Sequence, residues 1–205
     1  MPVHSYFPTS IYAAPLRATA EDRLNDRLLA ECRMLREDDG AGRRWSVRGY
    51  PGGFTSYSSA NKMHTVSPTF AKLERHLTRH VRKFARVLEL DLTDRALEMT
   101  DCWVNIMPPG VAHSLHLHPL ATISGTYYVR VPRGSPGLKF EDPRLGQMMA
   151  SPPRRADAAP ANRPWVTMPA EPGHLLLFES WLRHEVPANA ARSERVSISF
   201  NYSWF

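Results

Sequence analysis

The feature that most constrains the fold is a change of hydrophobic period near residue 95. Upstream, apolar residues recur at helical spacing; downstream, they alternate. Arg195–Ser203 (RVSISFNYS) alternates strictly, as a strand buried on one face must. Leu97–Met107 (LEMTDCWVNIM) also alternates, Ile123–Val131 (ISGTYYVRV) and Gly137–Glu141 are rich in β-formers, and Gly173–Phe178 (GHLLLF) is a short apolar run. Shorter extended pieces around 113–118, 164–168 and 184–188 bring the number of strands to about eight. Short strands without intervening helices predict an antiparallel sandwich or open barrel, with the preceding helices covering one face. The fold class expected is mainly β with N-terminal helices.

Two helices are expected ahead of the strands. Residues 19–36 open with Thr19 and Asp22 in a weak form of the capping box, and Leu24, Leu28, Cys32 and Leu35 then form one apolar stripe. The second helix starts at Ser67-Pro68, a serine N-cap with proline at the first helical position. Phe70, Leu73, Leu77, Val81, Phe84 and Leu88 supply its buried face. His76 and His80 lie one turn apart on it, at metal-ligand spacing. Arg75, Arg79, Arg82 and Lys83 surround them and oppose a cation, so a solvated face is expected there. Residues 37–66, rich in Gly, Ser and Asn, read as loop with short extended pieces. Residues 144–164, heavy in Pro, Ala and Arg, read as a lid or a disordered loop, with Met148 and Met149 favouring the lid. At 205 residues a single domain is expected, 1–95 forming a helical and loop elaboration on a core of 96–205.

Composition narrows the class of function. A hydrophobic fraction of 42% with 22% charged residues is globular. No apolar run approaches the roughly 18 residues of a spanning helix. The start, Met1-Pro2-Val3-His4-Ser5-Tyr6, lacks the basic and apolar regions of a signal peptide, so a cytoplasmic protein without a membrane partner is expected. The net charge of +6 comes from scattered arginines rather than a basic run, which argues against a nucleic-acid partner and leaves an anionic substrate compatible. Cys32 and Cys102 are expected as free core thiols.

The chemistry concentrates in His113-Ser-Leu-His116-Leu-His118-Pro119. Residues two apart on a strand share a face, so His116 and His118 can converge on one point, while the odd offset of His113 suggests the opposite face. His184 follows the apolar run at 173–178, and Arg195-Val-Ser197 again puts two polar groups on one face. A guanidinium fork with a hydroxyl beside it makes a carboxylate receptor.

This order of motifs resembles the iron(II)/2-oxoglutarate-dependent oxygenases with a double-stranded β-helix (jelly-roll, cupin-like) core, in particular a small bacterial and phage branch with an H-x-H-P segment. The resemblance rests on Trp103-Val-Asn105, His116-Leu-His118-Pro119, Ser124-Gly125-Thr-Tyr127-Tyr128-Val129, Phe140-Glu-Asp142-Pro143-Arg144, Gly173–Phe178, Trp181-Leu-Arg-His184 and Arg195–Asn201. It covers about 103–201, with weaker agreement at Phe7-Pro8-Thr9 and Gly53–Tyr57. It implies that His116 and His184 ligate iron(II), and that Arg195, assisted by Ser197, grips the distal carboxylate of 2-oxoglutarate. It further implies that Tyr127 or Tyr128 shares that carboxylate and that Asn105 lines the cavity. Trp181 is expected to pack, and Asp142-Pro143-Arg144 to form a structural turn.

One position departs from the superfamily, whose facial triad is two histidines and a carboxylate. Here His118 stands where the carboxylate belongs. As a third ligand it leaves the iron one unit more positive, and it fills the vacancy a halogenase would need for chloride. The alternative is a two-histidine centre completed by water.

The function expected is an iron(II)-, 2-oxoglutarate- and O₂-dependent hydroxylase acting on an unactivated C–H bond of a small molecule, amino acid or peptide, with release of succinate and CO₂. Two rivals stand beside it: a three-histidine cupin-type dioxygenase that uses no 2-oxoglutarate, and a non-catalytic metal-binding β-barrel. The prime substrate, the outcome (hydroxylation, desaturation or cyclisation) and the oligomeric state, a homodimer included, are not legible in the sequence.

Overall fold

In the computed structural model, which describes residues 2–16 and 23–205, ten strands form two antiparallel sheets. In chain order the elements are β1 (Ile11–Pro15), α1 (Leu24–Asp38), α2 (Gly40–Gly49), β2 (Phe54–Thr55), α3 (Met63–Val66), α4 (Pro68–Val87), β3 (Leu97–Met107), β4 (His113–His116), β5 (Ile123–Arg130), β6 (Leu138–Glu141), β7 (Trp165–Met168), β8 (His174–Glu179), β9 (His184–Val186) and β10 (Arg195–Trp204). The large sheet runs β1-β8-β5-β10-β3-β2 and the small one β4-β9-β6-β7. This is the jelly-roll core expected, and all eight strands read from the sequence are present.

Alternation along the central strands explains why two sheets form. On β10, Val196, Ile198, Phe200 and Tyr202 point to one side and meet Leu24, Leu28, Phe70, Leu73, Leu77, Val81 and Phe84 of α1 and α4. The cross-strand neighbours Val104 and Ile106 of β3, Tyr127 and Val129 of β5, and Leu175 and Leu177 of β8 join the same core. The opposite faces of these strands look toward the small sheet, where Met107, Tyr128, Leu176 and Phe178 pack with Leu138, Phe140 and Val186. The polar residues of that inner face line a cavity between the sheets.

Helix α4 begins as its sequence predicts, with the Ser67 hydroxyl accepting from the backbone N–H of Thr69 and Phe70 at 3.2 and 3.3 Å and with Pro68 in the first turn. The proposed cap at Thr19 and Asp22 lies outside the described residues. Both cysteines are free and buried.

Four expectations are corrected. Residues 40–49 are helix rather than loop: the Asp39 carboxylate caps them by accepting from Gly42 N–H at 2.7 Å, and Ser46 ties them to Thr55 at 3.0 Å. Three glycines in ten residues hide this helix, which tertiary contacts hold. Next, β1 is a strand at one edge of the large sheet where none was expected, while β2 at the other edge is one of the short extended pieces expected within 37–66. His80 is half-buried rather than solvated, its Nδ1 bonded to Tyr12 OH of β1 at 2.9 Å. Finally, residues 144–164 form two short 3-10 turns (Leu145–Gln147 and Pro160–Asn162) and border a groove against residues 4–11, away from the histidine cavity, with Met149 exposed.

Candidate metal centre

Three histidines meet at the mouth of the inner cavity. β4 pairs with β9 so that His116 lies directly opposite His184. His118 sits two residues past the end of β4, its backbone N–H donating to Ser180 O at 3.0 Å. One ring nitrogen from each lies within 4.8 Å of the other two. Ring centroids stand 4.4 Å apart for His116–His184, 5.1 Å for His118–His184 and 5.3 Å for His116–His118.

Their tautomers follow from their neighbours. Nδ1 of His116 faces Ser114 O at 2.7 Å and Nδ1 of His184 faces Leu182 O at 2.9 Å. A carbonyl oxygen only accepts, so both Nδ1 atoms carry the proton and Nε2 is left with its lone pair. His118 Nδ1 meets the Asn201 side-chain oxygen at 2.7 Å. That oxygen also accepts from Ser124 Oγ at 2.8 Å, while the Asn201 amide nitrogen donates to Asp101 at 3.3 Å, which sets the amide the right way round. All three rings therefore present Nε2, each held by an outer partner as metal-binding histidines are.

Protonation does not compete at neutral pH. Burial pushes His118 down to about 4 and His184 to about 2, with neighbouring histidines adding to the second, and burial also lowers His116. Three neutral imidazoles without a carboxylate suit a borderline divalent metal such as iron.

Deeper in the same cavity lies an unpaired cation. Arg195 is 3% exposed and no carboxylate among the described residues pairs with it. Its Nη1 donates to Ser197 Oγ at 3.3 Å and its guanidinium carbon lies 4.9 Å from the Tyr128 ring centre. Arg195 Nε and the Tyr128 hydroxyl are both buried without a hydrogen-bond partner. A buried guanidinium beside an unsatisfied hydroxyl is costly until an anion fills both. The pair fits the carboxylate of a 2-oxo acid.

Of the other residues singled out from sequence, Asn105 lines the cavity, donates to Ser199 Oγ at 3.0 Å and keeps its side-chain oxygen free. Tyr127 does not join them. Neighbouring residues on a strand face opposite ways, and the Tyr127 hydroxyl bonds Asn25 of α1 at 3.0 Å on the helix side. Trp181, expected to pack, is half exposed.

His113 is a second correction. The register of β4 against β9 shifts between His113 and His116, and this bulge turns His113 onto the inner face. There it stacks on His116 at 4.3 Å, lies 5.0 Å from Tyr50, and lines the cavity with Arg195. Burial, then the charges of His116, His118 and Arg195, push it down to about 3. Tyr50, Asp101 and Ser124 carried no signal of their own in the sequence, although the alternation Arg195, Ser197, Ser199, Asn201 already put Asn201 on the cavity face.

Two further aromatic residues, Trp45 of α2 and Tyr57 just after β2, wall an outer cavity of about 210 Å³ whose floor is His116 and His118. Among the described residues no helix is long and apolar enough to cross a membrane.

Residues 101–201 match a sequence family described as "Putative 2OG-Fe(II) oxygenase". No curated protein matches the chain. Among solved structures, a prolyl-4-hydroxylase of Pseudomonas putida is 17% identical over 95% of this chain and 92% of its own, with a TM-score of 0.59. The non-heme alpha-ketoglutarate-dependent epimerase SnoN from nogalamycin biosynthesis is 17% identical over 96% and 77%, at 0.65. HygX of Streptomyces hygroscopicus, solved with nickel, 2-oxoglutarate and hygromycin B bound, is 14% identical over 96% and 83%, at 0.61. At such identities the likeness speaks for the fold, and a hydroxylase and an epimerase stand among these neighbours.

Proposed function

Residues 101–201 assign this chain to the 2OG-Fe(II) oxygenases, and from that premise we propose that it hydroxylates an unactivated C–H bond of a small molecule or peptide. One observation carries the reading: a buried guanidinium without a counter-ion among the described residues shares a cavity with three pre-oriented neutral imidazoles. Iron(II) bound there, with 2-oxoglutarate and O₂, supplies the oxidation, and succinate and CO₂ are the co-products.

His116, His118 and His184 hold the metal through Nε2. Arg195 and Tyr128 take the distal carboxylate of 2-oxoglutarate, and Ser197 keeps the guanidinium from turning away. Phe178, Leu138 and Val186 keep water from that pocket. In this reading 96–205 are the catalytic core, and 1–95 add α2 and β2 to the substrate side. Because His118 fills the third position, the centre carries one more positive unit than a carboxylate triad, which favours an anionic co-substrate.

Three neutral histidines also describe a cupin-type dioxygenase that needs no 2-oxoglutarate, but that reading leaves Arg195 without an anion unless the substrate brings one. Oxygen uptake by the iron-loaded protein, with and without 2-oxoglutarate, separates the two. Dependence on 2-oxoglutarate, with succinate formed in step, is the expected result; uptake indifferent to it overturns the reading.

A further inference from the structure

We infer that the outer cavity above His116 and His118 receives the reacting part of the substrate, and that this part is an uncharged ring. The inference rests on the proposed reading of the histidines as an iron site and adds the substrate class to it.

The walls are largely aromatic, with Thr55 and Asn201 as the uncharged polar residues among them. Tyr57 meets Trp103 edge-on at 5.1 Å, and Trp103 lies 5.7 Å from His118. Leu117, Pro119 and Trp45 complete its apolar lining. Trp45, Tyr57 and Leu117 are 42%, 46% and 41% exposed, although a soluble chain normally covers large apolar side chains that serve only its core. Nor is Trp45 loosely placed. α2 is pinned by Ser46, and the Trp45 ring lies over Gly49, where a Cβ would come within 2.3 Å of it. Glycine at 49 is thus what lets the indole reach this position.

Among the described residues the lining contains no Asp, Glu, Lys or Arg. A charged group entering it would lose water and find no counter-ion. Aromatic faces do attract cations, but the chain carries +6 and the metal below would add to it. An anion would compete for the metal rather than rest on the walls. Flat apolar walls instead favour stacking with a neutral ring. The volume of about 210 Å³ is below the roughly 300–1,000 Å³ of pockets for whole drug-sized ligands, so it takes one ring system while the rest of the substrate lies outside.

Three isosteric probes test this: benzamide, benzoate and benzamidinium, added to the anaerobic iron- and 2-oxoglutarate-loaded protein. Binding is read by saturation-transfer NMR, and 2-oxoglutarate affinity by calorimetry on the same samples. Benzamide should bind about tenfold more tightly than either charged probe. Gly49→Ala, which keeps α2 intact but displaces the indole, and Trp45→Ala should each weaken benzamide by about fivefold while leaving 2-oxoglutarate affinity unchanged. Tighter binding of benzamidinium or benzoate, or benzamide binding indifferent to both variants, overturns the inference. Loss of 2-oxoglutarate binding in the unmodified protein defeats the co-substrate reading instead, and benzamide preference lost in Gly49→Ala would still support the ring site.

Discussion

The two faces of β10 are built from adjacent residues and behave as different materials. On the helix side Val196, Ile198, Phe200 and Tyr202 are buried in a continuous apolar core, and the polar atoms that reach it find partners: Tyr202 OH bonds Thr78 at 2.9 Å and Tyr127 OH bonds Asn25 at 3.0 Å. On the cavity side Arg195, Ser197 and Asn201 are buried and Ser199 partly so, yet Arg195 Nε and, on the neighbouring strands, Tyr128 OH and Asn105 Oδ1 are left without partners. One face is satisfied by folding. The other keeps buried polar groups without partners beside the cavity. The same strand pairing serves both, so stability and binding should respond to different substitutions one residue, about 3.3 Å of strand, apart.

The largest effects should fall cleanly on one side or the other. His184→Ala removes the most buried of the three imidazoles, and we expect iron stoichiometry and succinate formation to drop to background while the circular dichroism spectrum is kept. Phe200→Ala opens a void in the helix-side core and should cost about 3–5 kcal/mol, measured by urea unfolding. At low temperature, where it remains folded, Phe200→Ala should still bind one iron per chain. A Phe200 variant that folds but loses iron would break the separation of the faces.

Arg195→Met sharpens the comparison because it should move binding and stability in opposite directions. Losing a charge-assisted pair in a dry pocket costs about 2–5 kcal/mol, so the KM for 2-oxoglutarate should rise on the order of 30- to several-thousand-fold with iron retained. Replacing an unpaired buried cation by an apolar chain of similar volume should leave the co-substrate-free protein as stable or more so. A large loss of urea stability in this variant would mean that the guanidinium serves the fold.

What was legible in the sequence follows the same division. Alternation along Arg195–Ser203 separates the two faces, and HxH, a lone His and RxS land in one cavity because His116, His184, Arg195 and Ser197 lie on strands that look inward and His118 follows the end of β4 by two residues. Strand parity alone assigns Tyr128 to Arg195 and Tyr127 to the helices. Parity failed at His113, where a bulge adds a residue that no local pattern announces. It was equally silent on β1, whose strand character comes from a partner far along the chain, Leu175–Phe178. α2 was obscured by glycines, one of which makes room for Trp45.

A smaller effect is expected at Asn201, which holds the His118 ring and is not among the proposed ligands. Asn201→Leu leaves the His118 Nδ1–H without its acceptor and Ser124 Oγ with Ser180 Oγ alone, and releases the ring to turn. Outer partners of metal-bound histidines are typically worth about 10- to 100-fold in metal affinity. Iron affinity by competition with a chelator should fall by that much, with 2-oxoglutarate affinity in the iron-saturated variant little changed. Equal weakening of both would show that Asn201 supports the whole cavity rather than one ligand.

The smallest effect concerns protons, and it separates the faces without touching the metal. In the metal-free protein His113 is held down to about 3 by burial and nearby charge, whereas in the unfolded chain a histidine titrates near 6.5. Between those values the unfolded chain binds a proton that the folded chain refuses. Stability is therefore complete above about 6.5 and declines as the pH falls, with a slope of up to about 1.4 kcal/mol per pH unit for each such histidine. His118 and His184 act in the same direction. His113→Phe keeps a ring against His116 but removes one of these protons, so between pH 6.5 and 5.5 it should lose about 1 kcal/mol less than the unmodified chain. Urea unfolding of both proteins at the two pH values makes the comparison. Parallel losses would mean that His113 takes up its proton in the folded state, and that the cavity face tolerates charge there as the helix face does not.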